Sequence, residues 1–220
     1  MMSWKSAPWV AIDTETTGLE PGDGHAIVEL ATVLMQNGEV IERRAMLLNP
    51  RRPIPPEVSE VHHITDAMVA DAETIETAGP RFTKYVEDHV RRGAVLVCYN
   101  APFDLRFLEA TVPGWSTGGL FVFDPLVVVR MDSVGRYWKG SGRHRLMNVA
   151  DRLEVPMDRR SHRASADAEA AGRILWALRQ HLPDDAMQAV ELLRRESAKQ
   201  QENYRAWKAE QPTQEGEQGS

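Results

Sequence analysis

Asn37-Gly38 stands between two apolar, β-rich runs, and no other dipeptide restricts the chain as tightly. A two-residue hairpin turn needs φ > 0 at both central positions, which Asn and Gly adopt at little cost. Residues 26–35 (AIVELATVLM) and Glu39 to Leu48 are therefore expected as antiparallel strands, and Pro8 to Asp13 (PWVAID) reads as a further short strand ending in an acid. Three antiparallel strands open the fold. Ala94 to Cys98 and Phe121 to Phe123 read as two more strands, each followed by a helical segment, which predicts an α/β domain with a mixed five-stranded sheet flanked by helices.

The prolines and caps fill in the remainder. Pro50, Pro53, Pro55 and Pro56 fit neither a ladder nor a helix interior and predict a surface crossing. Thr65 and Thr74 are expected N-caps, and a helix is expected from about Pro80 to Arg92. Asn100 is placed as the cap of a helix from Ala101; further helices are expected near Asp124, over Leu146 to Leu153 and from about Ala164 to His181. Beyond Pro183 the apolar stripe thins. Residues 1–182 are thus expected as one domain, 183–209 as a helical extension and 210–220 (QPTQEGEQGS) as a disordered polar tail.

At 220 residues the chain is long enough to bury roughly 70% of its unfolded surface without staples. The single cysteine, Cys98, cannot form an internal disulfide; no run approaches eighteen apolar residues, and the first residues lack a signal-peptide core. A cytoplasmic protein with no membrane partner is expected. The net charge of -6 excludes a protein that coats nucleic acid by bulk charge. Between Arg130 and Arg163, however, nine lysines and arginines face four acids, which predicts a basic face where Arg143 and Arg145 meet phosphates, with Tyr137 and Trp138 either stacking on bases or packing on the core.

Three segments carry chemistry. In Asp13-Thr14-Glu15, residues two apart on a strand share a face, so two carboxylates converge. Alone this is the pattern of solvated turn acids, but Thr16-Thr17-Gly18 adds hydroxyls and backbone N–H groups that can hold a phosphate. In Asn100-Ala-Pro-Phe-Asp104, Asp104 falls one turn into a helix at a strand end, where ligands gather in open sheets; taken alone the segment reads as a cap, a core Phe103 and a first-turn acid. In His162-Arg163-Ala164-Ser165-Ala166-Asp167, the acid projects from a helix's first turn while His162 lies on the loop before it.

Asp-x-Glu-Thr-Thr-Gly, Asn-x-x-Phe-Asp and His-x-Ala-x-x-Asp, in this order and on these elements, resemble the DEDDh 3'-to-5' exonucleases, the family of the epsilon proofreading subunit of bacterial replicative polymerases. The resemblance covers about residues 8 to 180, and HHITDAMVADA from His62 is similar to a segment of the epsilon-like branch. Tyr99 stands where many relatives carry His, and Ser165 where Leu is usual. The resemblance implies a ribonuclease H-like fold and hydrolysis of phosphodiesters from 3' ends with two divalent cations, Mg²⁺ or Mn²⁺. Asp13, Glu15, Asp104 and Asp167 would be the ligands and His162 the base that takes the proton from water. It also implies a substrate lining of Thr14, Thr16, Thr17, Gly18, Leu19, Asn100 and Phe103. Hard oxygen donors suit those ions. A zinc site is disfavoured, because His62 and His63 are adjacent and no second cysteine exists; that pair is expected to be structural, with His63 the more buried. Single-stranded or frayed DNA is the expected substrate. RNA trimming and a polymerase-tethered binding module are the alternatives, and a polymerase would dock after Pro183.

Overall fold

The computed structural model describes residues 3–135, 138–156 and 163–209. β1 (Trp9–Thr16), β2 (Ile27–Gln36) and β3 (Glu39–Leu47) form an antiparallel meander, with Asn37 and Gly38 both at positive φ in the tight turn. Three helices follow, α1 (Pro56–His62), α2 (Asp66–Val69) and α3 (Ile75–Val90); then β4 (Val95–Val97), α4 (Ala101–Thr111), β5 (Val122–Phe123), α5 (Pro125–Val129), α6 (Asp132–Gly135), α7 (Leu146–Arg152), α8 (Ala164–Leu178) and α9 (Ala186–Ala209). β4 pairs parallel to β1 and β5 parallel to β4, so the sheet order is β3-β2-β1-β4-β5. This is the mixed α/β sheet the sequence predicts.

The two-residue period of β1 sorts its side chains. Trp9 and Ala11 enter one core with α5, α7, α8 and the inner half of α9; Val10 and Ile12 enter the other with α3 and α4. Continued by two and four residues, the first register carries Asp13 and Glu15 toward α8, while Thr14 faces α4. α8 lies close to the sheet because the face it buries holds Ala164, Ala168, Ala171 and Gly172; a Cβ at Gly172 would stand 2.3 Å from Met35 Sδ. At its far end α8 is tied to the start of the chain. The Trp4 indole N–H donates to the Pro183 carbonyl at 2.8 Å and the Lys5 ammonium to that of Leu182 at 2.8 Å, and Trp4 stacks on Trp9 and Phe123.

Several expectations are corrected. Pro56 opens α1 at its first turn, where a missing N–H costs nothing, so the proline-rich crossing ends in a helix. α3 begins five residues before Pro80 and contains it, its Gly79 lying against Val112 and Pro113 where a Cβ would come within 2.9 Å. Thr65 and Thr74 occupy the N-cap positions of α2 and α3, but neither side chain makes a capping bond. His62 is buried and accepts the Ile64 N–H at Nδ1, 3.0 Å, whereas His63 is exposed at φ 60° and ends α1, the reverse of the expected order. No helix among the described residues is long and apolar enough to cross a membrane.

Candidate active site

Asp13 and Glu15 leave the end of β1 toward α8, whose first turn presents Asp167. One oxygen from each of these three half-buried carboxylates lies within 4.8 Å of the others. Burial raises the Asp13 pKa well above the carboxylate range, and the charges of Asp104, Asp167 and Glu15 add to it. Glu15 is pushed up to about 8, by burial first and then by Asp167 and Glu29, with Arg163 a smaller opposing influence. Like charges in a low-dielectric setting penalise ionisation, and a divalent cation relieves the penalty. The donor set is all hard oxygen, which fits Mg²⁺ or Mn²⁺ and not a tetrahedral zinc site.

Asp104 stands outside this trio. It is 3% exposed, and both of its oxygens are engaged: Oδ1 accepts the Thr14 N–H at 2.9 Å and the Thr14 hydroxyl at 2.7 Å, and Oδ2 the Cys98 thiol at 3.2 Å. Burial raises its pKa to about 6, with the Thr14 and Cys98 donors pulling the other way. It faces Asp13 as a charge, held against the opposite side of β1.

Asn100 is exposed at φ 61° and makes no side-chain cap. Asp124 caps in its place from the end of β5: its carboxylate accepts the N–H groups of Asn100 and Ala101, both at 3.0 Å, and of Leu126 at 2.8 Å, thereby starting α4 and α5 together. Phe103 is half-buried against Phe107.

The turn that the sequence offers to a phosphate has internal hydrogen bonds of its own. The Thr14 hydroxyl serves Asp104, the Thr16 hydroxyl donates to the Gly18 carbonyl at 2.6 Å, and Thr17 exchanges two bonds with Ala26. Gly18 lies against the His25 ring, where a Cβ would come within 2.4 Å, and Leu19 projects 72% exposed at the rim.

The basic run divides. Arg143 lines a pocket of about 350 Å³ with Lys139, Ser141, Asn148, Asp151 and Arg152, whereas Arg145 is exposed at the N-cap of α7, outside that lining. Burial, then Arg143, Arg130 and Arg152, push His144 down to about 4. Trp138 packs on the core with Arg152 4.9 Å over its ring, which favours the packing role. Arg163, counted among the basic run, instead pairs with Glu29 inside the fold. Tyr137 and His162 lie outside the described residues.

Glu29, Asp124 and Cys98 are the polar neighbours that sequence reasoning left unassigned. Glu29 was findable as the one charge inside an apolar strand run; Asp124 acts on a segment far back in the chain, and the Cys98 thiol meets Asp104 only once the chain turns from β4 into α4.

A family described as Exonuclease matches residues 10–175. The DNA polymerase III subunit epsilon of Treponema pallidum (strain Nichols) is 34% identical over 180 residues, 79% of this chain and 77% of that protein. A DNA polymerase III subunit epsilon-like protein of Rhodobacter capsulatus is 50% identical over 103 residues, 46% of this chain; the match spans only 14% of that protein's length. Among solved structures, Exonuclease X in complex with 5' overhanging duplex DNA superposes with a TM-score of 0.61 at 27% identity, covering 84% of this chain and 99% of that one.

Proposed function

The chain belongs to the exonuclease family that its residues 10–175 match, and from that premise we propose that it removes nucleotides one at a time from the 3' ends of single-stranded or frayed DNA in replication or repair in the cytoplasm. The observation that carries the reading is the convergence of Asp13, Glu15 and Asp167 from β1 and α8. In this reading those three would hold two divalent cations, Mg²⁺ or Mn²⁺, with the Asp104 carboxylate beside Asp13 as a further ligand. The ions supply charge neutralisation at the attacking and leaving oxygens of the phosphodiester. His162 takes the proton from the water that attacks phosphorus, and the bond to the penultimate 3'-oxygen breaks to release a 5'-mononucleotide.

The surroundings assign the remaining roles. Leu19 offers an apolar rim to the terminal base, Gly18 and the Thr14, Thr16 and Thr17 backbone shape the turn beneath it, and Asn100 and Phe103 flank the strand. Arg143, with Lys139 and Arg152, takes a phosphate farther back, and Arg145 supports it at longer range. Residues 1–182 are the exonuclease domain and 183–209 its helical extension, whose outer half exposes Tyr204 and Trp207 and is the place for a polymerase to dock.

The test is a 5'-labelled oligonucleotide. A ladder shortening from the 3' end with Mg²⁺ or Mn²⁺, and none with chelator, is expected; metal-independent cleavage or cleavage inside the strand overturns the reading, and faster loss of matched RNA moves it to RNA trimming. Removing the charges of Arg143 and Arg145 together should flatten the salt dependence of oligonucleotide binding by about 0.7 in log–log slope for each phosphate that is no longer neutralised, and leave dinucleotide hydrolysis unchanged.

A further inference from the structure

Glu29 is the one charged residue in the run Ile27 to Met35 and is 1% exposed. The β1–β2 register sets it directly opposite Glu15. A carboxylate buried so deeply needs a charged partner and full hydrogen bonding. Arg163 provides them: its Nε donates to the two carboxylate oxygens at 3.0 and 2.9 Å, and its Nη2 pairs with Oε1 as well. The backbone N–H of Ala164, the first residue of α8, donates to Oε2 at 3.0 Å. The N-cap residue of α8 is Arg163 itself, whose side chain makes no capping bond, so Glu29 satisfies that helix end from across the sheet.

One carboxylate thus holds the residue that directly follows His162 and the helix start whose first turn carries Asp167. It also lies beside Glu15 without belonging to the trio that can share an ion. We propose that Glu29 and Arg163 form a positioning pair for the exonuclease site: Glu29 seats the N-terminus of α8 so that Asp167 meets Asp13 and Glu15, and Arg163 neutralises Glu29 and holds it in that place. The pair touches neither substrate nor reacting atoms. The inference rests on the exonuclease reading, and it takes Arg163 out of the nucleic-acid track.

The experiment compares Glu29→Gln, Arg163→Gln and the double variant, each first checked for cooperative thermal unfolding. Each single change should lower kcat on a short oligonucleotide at saturating Mn²⁺ by about 10- to 100-fold, the usual effect of disturbing groups that orient ligands. KM should move less than about threefold, and the double variant should be no worse than the poorer single one, since both remove one interaction. Calorimetric Mn²⁺ binding without nucleic acid separates geometry from charge. Glu29→Gln leaves an unpaired cation by the ligands and should weaken binding, whereas Arg163→Gln leaves an extra carboxylate and should not. Wild-type kcat in both single variants, additive losses, or a change confined to KM in Arg163→Gln would overturn the pair, the last making Arg163 a phosphate clamp. If Glu29→Gln fails to fold, Arg163→Gln, on a side chain one-third exposed, carries the same kcat and KM test. A wild-type chain that never hydrolyses overturns the exonuclease reading instead, and the pair is then judged by the opposed Mn²⁺ shifts alone.

Discussion

The two faces of β1 treat their carboxylates in opposite ways. Toward α4, Asp104 is satisfied: three protein donors meet its two oxygens, and it fastens strand to helix. Toward α8, Asp13, Glu15 and Asp167 press on one another, and the apo fold holds them at a cost. Chemically identical groups on the two sides of one strand are thus a joint on one side and a socket on the other. What separates Asp104 from Asp13 and Glu15 is the company each keeps, not burial: burial is the largest cause of the raised pKa on both sides, but Asp104 meets the Thr14 and Cys98 donors while Asp13 and Glu15 face other carboxylates.

The difference can be broken in descending steps. The largest effect belongs to Asp13→Asn, expected to lower turnover by at least about 100-fold while raising the melting temperature of the metal-free protein, since a mutually repelling charge is gone. An unchanged or lower melting temperature would show that the trio is not strained. Asp104→Ala should do the reverse to stability, costing about 1–3 kcal/mol by chemical denaturation, because the Thr14 donors are left buried and unpaired. A neutral result would make Asp104 one more member of the socket.

The next step uses pH. The folded-state pKa of Glu15, about 8, stands above its ordinary 4.5, so between those values the folded protein binds more protons than the unfolded chain, and stability falls as pH rises through the window. Asp104 and Asp124, both near 6 against an ordinary 3.8, act the same way in the lower part of it. Metal-free protein should therefore melt at a lower temperature at pH 8 than at pH 5, Glu15→Gln should flatten the trend, and Mg²⁺ should offset it. The smallest effect is Cys98→Ala, which removes one weak donor of three from Asp104: a loss of about 0.5–1.5 kcal/mol and unchanged turnover are expected, and a large drop in turnover would show that the thiol shapes the site.

The legibility of the molecule in its sequence follows the same division. The hairpin at Asn37-Gly38, the alternation along β1 and the acids at its end are local patterns, and they appear where the residues place them. The socket was legible in part: spacing by two on a strand aims Asp13 and Glu15 at one face, but that Asp167 joins them followed from the resemblance of the three motifs to the exonuclease family. The joint was not: Thr14 and Asp104 are far apart in the chain, and so are Asp124 and Asn100, and only the packed fold brings each pair together. The threonine hydroxyls near the end of β1 also take part in bonds within the fold, Thr14 with Asp104, Thr16 with Gly18 and Thr17 with Ala26, and His62 and His63 exchange places because one backbone residue at positive φ ends α1.

The knot between Trp4 and Lys5 and the chain just after α8 gives the site a mechanical character. β1 and α8 run side by side in opposite directions, like the arms of a pair of tongs. The pivot is the Trp4 indole on the Pro183 carbonyl, packed under Trp9 and Phe123; the jaws are Asp13 and Glu15 on one arm and Asp167 on the other. About 13 Å of strand separates Trp9, at the pivot, from Asp13, so a small opening at the pivot is magnified at the jaws. A cation gripped there closes the frame at its free end, and amide exchange around Trp4 should slow when Mg²⁺ binds, at the end of the molecule remote from any charge the ion touches.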